Sequence, residues 1–316
     1  MSKLFSSAIL VAASAAVVAA GGCRFAKDFT CESFQSKSKI DEYLTNVVKW
    51  EGQFAQPNIG YDPASGYTYD GHPLNYTTGE LFGDVHGFSA PSKESIHLGI
   101  LSLAAEGNKY AQIFAGGFDK AIETLELKIK GYNKFNETYP GYGCFTPWVS
   151  FNAAEGSIEP IESWTVPYHK VPGLDNGEWF WAIYSTVFAL RKLGPKYSKL
   201  AGQYEAYMNC QKKHAKTIFY RGDGDVSATV YILDPKISPI ASNYIQADGY
   251  LNDPYEGETL TQLMYLFSDW ANEADREVLW TKKQGLFAKV DYVVPEAAKL
   301  AAGIKSENKV ITVQKG

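Results

Sequence analysis

The order of the helix-forming segments constrains the fold of this chain more than any other feature. Six segments with a helical spacing of apolar residues form three successive pairs: residues 92–105 with 118–132, 177–193 with 196–219, and 254–271 with 276–292. In each pair the first segment is apolar on nearly every side, whereas the second carries a charged face. A helix that is apolar all round is buried, and one with a polar stripe lies at the surface. Successive hairpins of this kind predict an α/α toroid with an inner and an outer ring.

Three further segments complete the predicted organisation. Residues 40–50 show helical periodicity, and residues 226–234 are expected to form a strand of a small decorating hairpin. Residues 53–91 form a loop rich in Gly, Tyr, Asp and Pro, which is too long to be a simple connection and is therefore a candidate functional loop. No linker composition interrupts residues 21–316, so we expect one domain there.

The N-terminus has the pattern of a cleavable secretory signal. Lys3 precedes an uncharged apolar run, residues 8–20, which ends in small residues. This run is shorter than the roughly 20 residues that cross a bilayer. We therefore expect residues 1–20 to be a signal peptide and the mature protein to be extracellular, with no membrane attachment.

The cysteines and charges limit the classes of partner. Cys23, Cys31, Cys144 and Cys210 would enter an oxidising compartment, where three two-disulfide pairings are open. The sequence lacks a paired CxxC and an HExxH motif, so we expect no metal. The net charge of -5, without any Lys/Arg cluster, argues against nucleic acid.

The sequons and the aromatic residues in polar loops indicate a secreted protein that binds carbohydrate. Two sequons, at Asn75 and Asn136, fit a secreted glycoprotein. Aromatic residues make up 14% of the chain, and many Tyr and Trp residues lie in polar, Gly-rich loops. Most of these rings are expected to pack in the core. The others offer flat faces for sugar rings beside polar groups for hydroxyls.

The strongest chemical motif precedes the third pair of helices. Asp253 is a natural N-cap, Pro254 suits the first helical position, and Glu256 falls at the acidic position of a capping box. A capping glutamate is usually structural. Glu258 adds a second carboxylate, however, and Gly257 would permit a ligand to approach. Burial would raise the pKa of such a carboxyl towards that of a general acid.

The second motif lies at the start of the second pair. Asp175 or Asn176 can cap the helix, and Glu178 lies in its first turn beside two tryptophans. Capping explains only one of these polar residues, so we expect Asp175, Asn176 and Glu178 to bind substrate hydroxyls. The candidate stacking platforms are Trp148, Trp179 and Trp181.

The third motif, residues 86–97, opens the first pair. Ser92 is a plausible N-cap, and Glu94 and His97 lie three apart on one helical face. We expect His97 to be a core histidine and Glu94 to face the cleft and bind substrate. Other chemistries lack their motifs: residues 222–225 match only a fragment of a calcium loop, and no GxSxG elbow is present.

At these three motifs the chain resembles the fungal endo-β-1,2-glucanases of glycoside hydrolase family 162 and, more distantly, the bacterial endo-β-1,2-glucanases. The stretches that carry the resemblance are residues 88–97, 174–179 and 253–258. The resemblance implies an (α/α)6 toroid that hydrolyses linear β-1,2-glucan with inversion and without a cofactor. It places the general acid at Glu256, with Glu258 as the alternative. The family's general base is an aspartate far along the toroid, and this chain has no counterpart for it.

The number of helical hairpins bears on activity. Six hairpins complete such a ring, and the sequence shows three, so we expect an all-α half toroid with long loops and a minor β-hairpin. Inversion needs two carboxyl groups about 6.5–9.5 Å apart. We therefore expect impaired activity and apolar faces left exposed where the other half would pack.

The expected partner is a β-glucan polysaccharide or oligosaccharide, bound by a monomer. A non-catalytic glucan-binding or cell-wall protein on the same fold is the alternative. A polysaccharide lyase fits less well, because the motifs are rich in carboxylates and poor in Arg and Lys, which disfavours an acidic sugar.

Overall fold

The computed structural model describes residues 28–161, 169–251, 257–292 and 309–314. These residues contain eight α-helices. The helices are α1 (Lys37–Glu51), α2 (Pro91–Ala105), α3 (Lys109–Ala115), α4 (Phe118–Thr138), α5 (Gly173–Lys192), α6 (Ser198–Phe219), α7 (Glu258–Phe267) and α8 (Glu273–Gln284). The three predicted pairs are thus α2 with α4, α5 with α6, and α7 with α8. Helix α3 is an additional short helix between α2 and α4. Its N-cap is Asn108, whose side chain accepts hydrogen bonds from the backbone of Tyr110 and Ala111.

Helices α2 and α5 lie side by side at the centre of the molecule, and α5 also packs against α6 and α7. The Ser102 and Thr186 hydroxyls join α2 and α5 through a buried hydrogen bond of 2.7 Å. On the outer side, the Tyr204 hydroxyl of α6 donates to the Leu125 carbonyl of α4, at 2.8 Å. The first members of the first two pairs therefore lie side by side, and their second members, α4 and α6, pack against them.

The inner helices are not buried on every side. Ile96 and Leu103 of α2 are 66% and 48% exposed, and Phe188 of α5 is 64% exposed. Together with Tyr184 they line an open groove of about 680 Å³ between the two helices. This groove corrects the expectation of complete burial.

The described residues also contain nine strands, so the expectation of an all-α chain with a minor β-hairpin was wrong in detail. One antiparallel sheet has the order β1 (Phe88–Ser89), β2 (Val149–Asn152), β3 (Ser157–Pro160). A second places β6 (Asp225–Ile232) between β4 (His169–Pro172) and β5 (Tyr220–Gly222), and β7 (Tyr244–Tyr250) also pairs with β6. The third pairs β8 (Phe287–Tyr292) with β9 (Lys309–Gln314).

Two of these strands show why the sequence pattern was incomplete. The predicted strand 226–234 is present as β6, but its partner β4 has only four residues and precedes α5 and α6 in the chain, so alternation does not reveal it. The helix predicted over 276–292 ends at Gln284, and residues 287–292 are a strand instead. Their alternation of apolar and polar residues has a period of two, which favours a strand.

The described residues contain one disulfide bond, which is compatible with one of the three pairings that the sequence leaves open. Cys144, in the loop after α4, forms a disulfide with Cys210 of α6, and their Cα atoms are 5.9 Å apart. Cys31 is exposed, whereas Cys23 and the expected signal segment 1–20 lie outside the described residues. No helix in the described ranges is both long and apolar enough to cross a bilayer.

Candidate functional site

The N-terminal ends of the three inner helices meet. A side chain on Gly177 of α5 would place its Cβ 2.5 Å from the Leu260 nitrogen and 2.6 Å from the Thr259 hydroxyl of α7, so only glycine permits this approach. Trp181 strengthens the contact, because its indole nitrogen donates to the Thr259 carbonyl at 2.9 Å. The structure therefore places the motifs that open α5 and α7 side by side.

The motif at residues 86–97 also lies near this contact, beside Asp175 of α5. Burial raises the pKa of Asp175 above its ordinary value, and the nearby Lys93 ammonium and Ser92 hydroxyl, both in the first turn of α2, oppose that rise. Asp175 is half-buried, and Glu178 lies three residues on and is also half-buried. This face of α5 offers two carboxylates at the point where the entrances of α2 and α5 meet.

The long loop before α2 contributes Asp70, a charged residue that the sequence analysis did not single out. Asp70 lies 3.5 Å from the Lys93 ammonium and 3.6 Å from the His86 Nδ1. We call Asp70, His86 and Lys93 the entrance cluster. Only the length and composition of residues 53–91 indicated that this loop has a function.

The motif at residues 253–258 is described from Gly257 onwards, and Asp253, Pro254 and Glu256 lie outside the described residues. Glu258 is the first residue of α7, and its carboxylate accepts a hydrogen bond from the Gln262 amide at 2.7 Å. It lines a cavity of about 270 Å³ whose other walls include Tyr265, Leu266, Trp280 and Lys283.

Gly257 does not leave room for a ligand in this structure. A Cβ built on it would lie 2.5 Å from the Leu251 side chain and 2.9 Å from the Lys283 nitrogen. Protein atoms therefore fill the space that the sequence analysis reserved for substrate, and the glycine permits close packing of the chain.

Glu94 has a different environment from the one expected. It is completely buried, and one carboxylate oxygen accepts hydrogen bonds from Tyr132 and from the Lys128 ammonium, the latter at 2.7 Å. The other oxygen accepts from the Thr68 backbone and hydroxyl at 2.9 and 3.1 Å. We call Glu94, Lys128, Tyr132 and Thr68 the interior network. The expectation that Glu94 faces the cleft is corrected, because the equally buried Lys128 requires a counter-charge.

Asn176 and Trp179 are likewise interior residues. The Asn176 side chain accepts from the Thr146 nitrogen at 3.0 Å and donates to the Thr146 and Pro172 carbonyls at 2.8 and 2.7 Å. Trp179 is completely buried, and its ring meets Tyr67, Tyr132 and Tyr207 edge-on. Neither side chain can reach a ligand in this arrangement, so their expected roles as hydroxyl binder and stacking platform are corrected.

The remaining predicted rings are partly accessible. Trp181 is half-buried against Phe180, Tyr184 and Phe267. Trp148 is half-buried just before β2. Within the part of the chain that the structure describes, no group of three or more His, Cys, Asp or Glu side chains could hold a metal ion.

The chain was then compared with known proteins. The model of the family described as endo-beta-1,2-glucanase SGL, of glycoside hydrolase family 162, matches residues 67–316. No curated protein matches the chain.

Solved structures give the same relationship. An endo-beta-1,2-glucanase from Talaromyces funiculosus in complex with sophorose is 34% identical, with a TM-score of 0.78, over 93% of this chain and 58% of that chain. A glutamate-to-glutamine mutant of that enzyme with beta-1,2-glucan gives 33% identity and a TM-score of 0.79, with the same coverage.

A more distant structure, a candidate glucoamylase from Bacteroides fragilis, is 13% identical to this chain, with a TM-score of 0.52. The match covers 79% of this chain and 53% of the glucoamylase chain, and it shows a shared fold alone. This chain thus spans 58% of the Talaromyces enzyme. The family match covers most of the residues and includes all three inner-helix entrances, and the chain therefore belongs to the endo-β-1,2-glucanase family, glycoside hydrolase family 162.

Proposed function

We propose that this chain is a secreted, monomeric glycoside hydrolase that cleaves β-1,2-glucan internally and with inversion, at an impaired rate because none of its residues is assigned as the general base. The observation that carries the proposal is the meeting of the three entrances, which gathers Asp175, Glu178 and Glu258 at one end of the inner helices. It is supported by the family match and by the relatives, whose structures hold sophorose and beta-1,2-glucan.

In this proposal Glu256 is the general acid, and Glu258 is the alternative. The acid protonates the glycosidic oxygen as the bond to the sugar breaks, which requires a carboxyl that is still protonated at the working pH. Asp175 and Glu178 accept hydrogen bonds from sugar hydroxyls, and Trp148 and Trp181 are the rings available for stacking. Inversion requires a second carboxylate, about 6.5–9.5 Å from the acid, which activates water. We assign this general base to no residue of the chain.

The proposed secretion rests on the N-terminal segment and on the cross-link. Residues 1–20 have the charge, apolar run and small residues of a cleavable signal. The disulfide between Cys144 and Cys210 fits an oxidising compartment, where such bonds persist.

The test is the release of reducing ends from linear β-1,2-glucan by the wild-type chain and by three Glu-to-Gln variants. Glu256→Gln and Glu258→Gln replace the two candidate acids, and Glu123→Gln changes a surface glutamate of α4 that pairs with Lys120. We expect one of the first two variants to lose at least about 100-fold in rate, since general acids contribute factors of that order. Glu123→Gln should match the wild type.

Two results would contradict the proposal. A double variant, Glu256→Gln with Glu258→Gln, that keeps the wild-type rate would remove both residues as acids. Glucan binding without any product from the wild-type chain would favour the alternative, a non-catalytic glucan-binding protein.

A further inference from the structure

Two members of the entrance cluster, His86 and Lys93, belong to the motif at residues 86–97, and Asp70 lies on the loop before it. Lys93 is in the first turn of α2, which packs against α5, and the Lys93 charge opposes the rise that burial causes in the pKa of the Asp175 carboxylate on α5. The side chains of Lys93 and His86 are 45% and 52% exposed, and that of Asp70 is 24% exposed. The cluster therefore adds polar groups, open to solvent, on the loop side of Asp175.

Backbone bonds hold this part of the loop in place. The Asp70 nitrogen donates to the Phe88 carbonyl at 2.7 Å, and the His86 nitrogen donates to the Gly71 carbonyl at 2.9 Å. Phe88 begins β1, which is paired with β2 at Ser150. Because these bonds fix the loop, the cluster does not depend on its own side-chain contacts for its position.

The ion pair itself contributes little to the fold. Exposed pairs of this kind are worth about 0–1 kcal/mol, and Lys93 and Asp70 are separated by 3.5 Å. The charged atoms can therefore exchange their mutual contact for hydrogen bonds to a ligand at small cost.

Aromatic rings flank the charged groups. The His86 and Phe88 rings are nearly parallel, with centroids 6.2 Å apart, and Tyr69 meets Phe151 edge-on at 4.7 Å. Tyr69, Phe88 and Phe151 are half-buried, so each keeps an accessible part. Flat apolar faces beside hydrogen-bonding groups suit the alternating C–H and hydroxyl surfaces of a pyranose.

The balance of charged groups at the entrance cluster favours some classes of ligand over others. Lys93 supplies a donor, while Asp70 and Asp175 supply acceptors, so the negative groups outnumber the positive one. An excess of carboxylates disfavours a phosphate or an acidic sugar, and the ammonium disfavours a metal cation. A neutral polyhydroxylated ring can use both donor and acceptors.

We propose that the entrance cluster, Asp70, His86 and Lys93, forms a binding subsite for one glucosyl unit of the substrate, adjoining Asp175. The inference rests on the proposed function, and it extends the glucan-binding surface from the inner helices onto the loop before α2.

Isothermal titration calorimetry with sophorose and with linear β-1,2-glucan tests the subsite. The variants are Lys93→Met, which keeps the stem and removes the charge, and Asp70→Asn. The matched control is Lys120→Met, because Lys120 is also 45% exposed and pairs with Glu123 at 3.3 Å, on the outer helix α4. We expect Kd for at least the longer ligand to rise about tenfold in both cluster variants, as for the loss of a charged hydrogen bond. The control should stay within about twofold of the wild type.

Each outcome separates the two proposals. If the wild-type chain binds and cleaves glucan but Lys93→Met and Asp70→Asn bind as tightly as Lys120→Met, the subsite is overturned and the proposed function stands. If the wild-type chain neither binds nor cleaves glucan, both are overturned. Lys93→Arg keeps the charge and should retain more affinity than Lys93→Met; equal losses in both would also contradict the subsite.

Discussion

Two adjacent residues of α2, Lys93 and Glu94, belong to two charged regions that differ in solvent exposure. Glu94 belongs to the interior network, in which both members of the ion pair with Lys128 are completely buried. Lys93 belongs to the entrance cluster, in which the side chains are 24% to 52% exposed. The same kinds of side chain thus meet once inside the protein and once at its surface, one residue apart.

This difference separates charges that the fold requires from charges that stay accessible to solvent. A buried charge is costly unless a partner neutralises it, so Glu94 and Lys128 must stay together. An exposed pair adds little stability and is easily rearranged. The interior network therefore holds the loop at Thr68 against α2 and α4, and the entrance cluster above it is available for binding.

The largest effect is expected from breaking the interior network. Glu94→Gln leaves the Lys128 ammonium buried without its counter-charge, and we expect a loss of about 3–5 kcal/mol in the free energy of unfolding. Chemical denaturation measures this loss. Glu123→Gln, which removes an exposed partner of Lys120 on α4, should change the same quantity by less than about 1 kcal/mol. Equal effects of the two variants would erase the distinction between the regions.

The disulfide between Cys144 and Cys210 is expected to stabilise the folded protein independently of the interior network. It ties α6 to the loop that continues to Thr146, which is bonded to Asn176. Replacing both Cys144 and Cys210 with Ser should lower the free energy of unfolding by about 2–5 kcal/mol. Unfolding of the oxidised wild type and the double variant, compared by denaturant titration, gives this value. A difference below about 1 kcal/mol would mean that packing alone holds the loop.

A smaller effect, which depends on pH, is expected from His97 on the interior side of α2. Burial lowers its pKa well below the ordinary value, and the Lys128 charge adds to this. The unfolded chain then binds a proton that the folded chain does not, so stability falls as the pH drops below about 6.5, by at most about 1.4 kcal/mol per pH unit.

Unfolding measured between pH 7.5 and pH 5 should show a shallower slope for His97→Leu than for the wild type. A residual slope remains from His214, whose pKa burial also lowers. An unchanged slope in His97→Leu would show that His97 is protonated equally in the folded and unfolded states.

The smallest effect on stability is expected at the entrance cluster. Lys93→Met should change the free energy of unfolding by less than about 1 kcal/mol, although it weakens glucan binding. The two quantities are measured on one preparation, by denaturation and by calorimetry. If Lys93→Met instead lost much of its stability and kept the wild-type affinity for glucan, Lys93 would have the structural role that we assign to Glu94.

The sequence predicted the helices better than the environments of their polar residues. Periodicity identified the three helical pairs, because it depends on spacing within one segment. The burial of Glu94 depends on Lys128, 34 residues further along the chain, and on the loop at Thr68. Neither contact leaves a local pattern, so the sequence did not reveal that Glu94 is buried.

Asn176 and the second sheet illustrate the same limit. The amide of Asn176 is satisfied by the backbone of Thr146, on a segment that spacing does not relate to α5. Strand β6 was predicted, but its neighbour β4 has four residues and lies before α5 and α6 in the chain. Short-range signals therefore gave the elements and the location of the entrances, while long-range packing decided which side chains remain accessible.

The most direct test of the account is a crystal structure of this chain with sophorose. We expect the sugar to lie where α2, α5 and α7 begin, with hydroxyls bonded to Asp175 and Lys93 and no contact with Glu94 or Trp179. A sugar seated instead in the apolar groove beside Ile96 and Phe188, away from the entrances, would contradict the account.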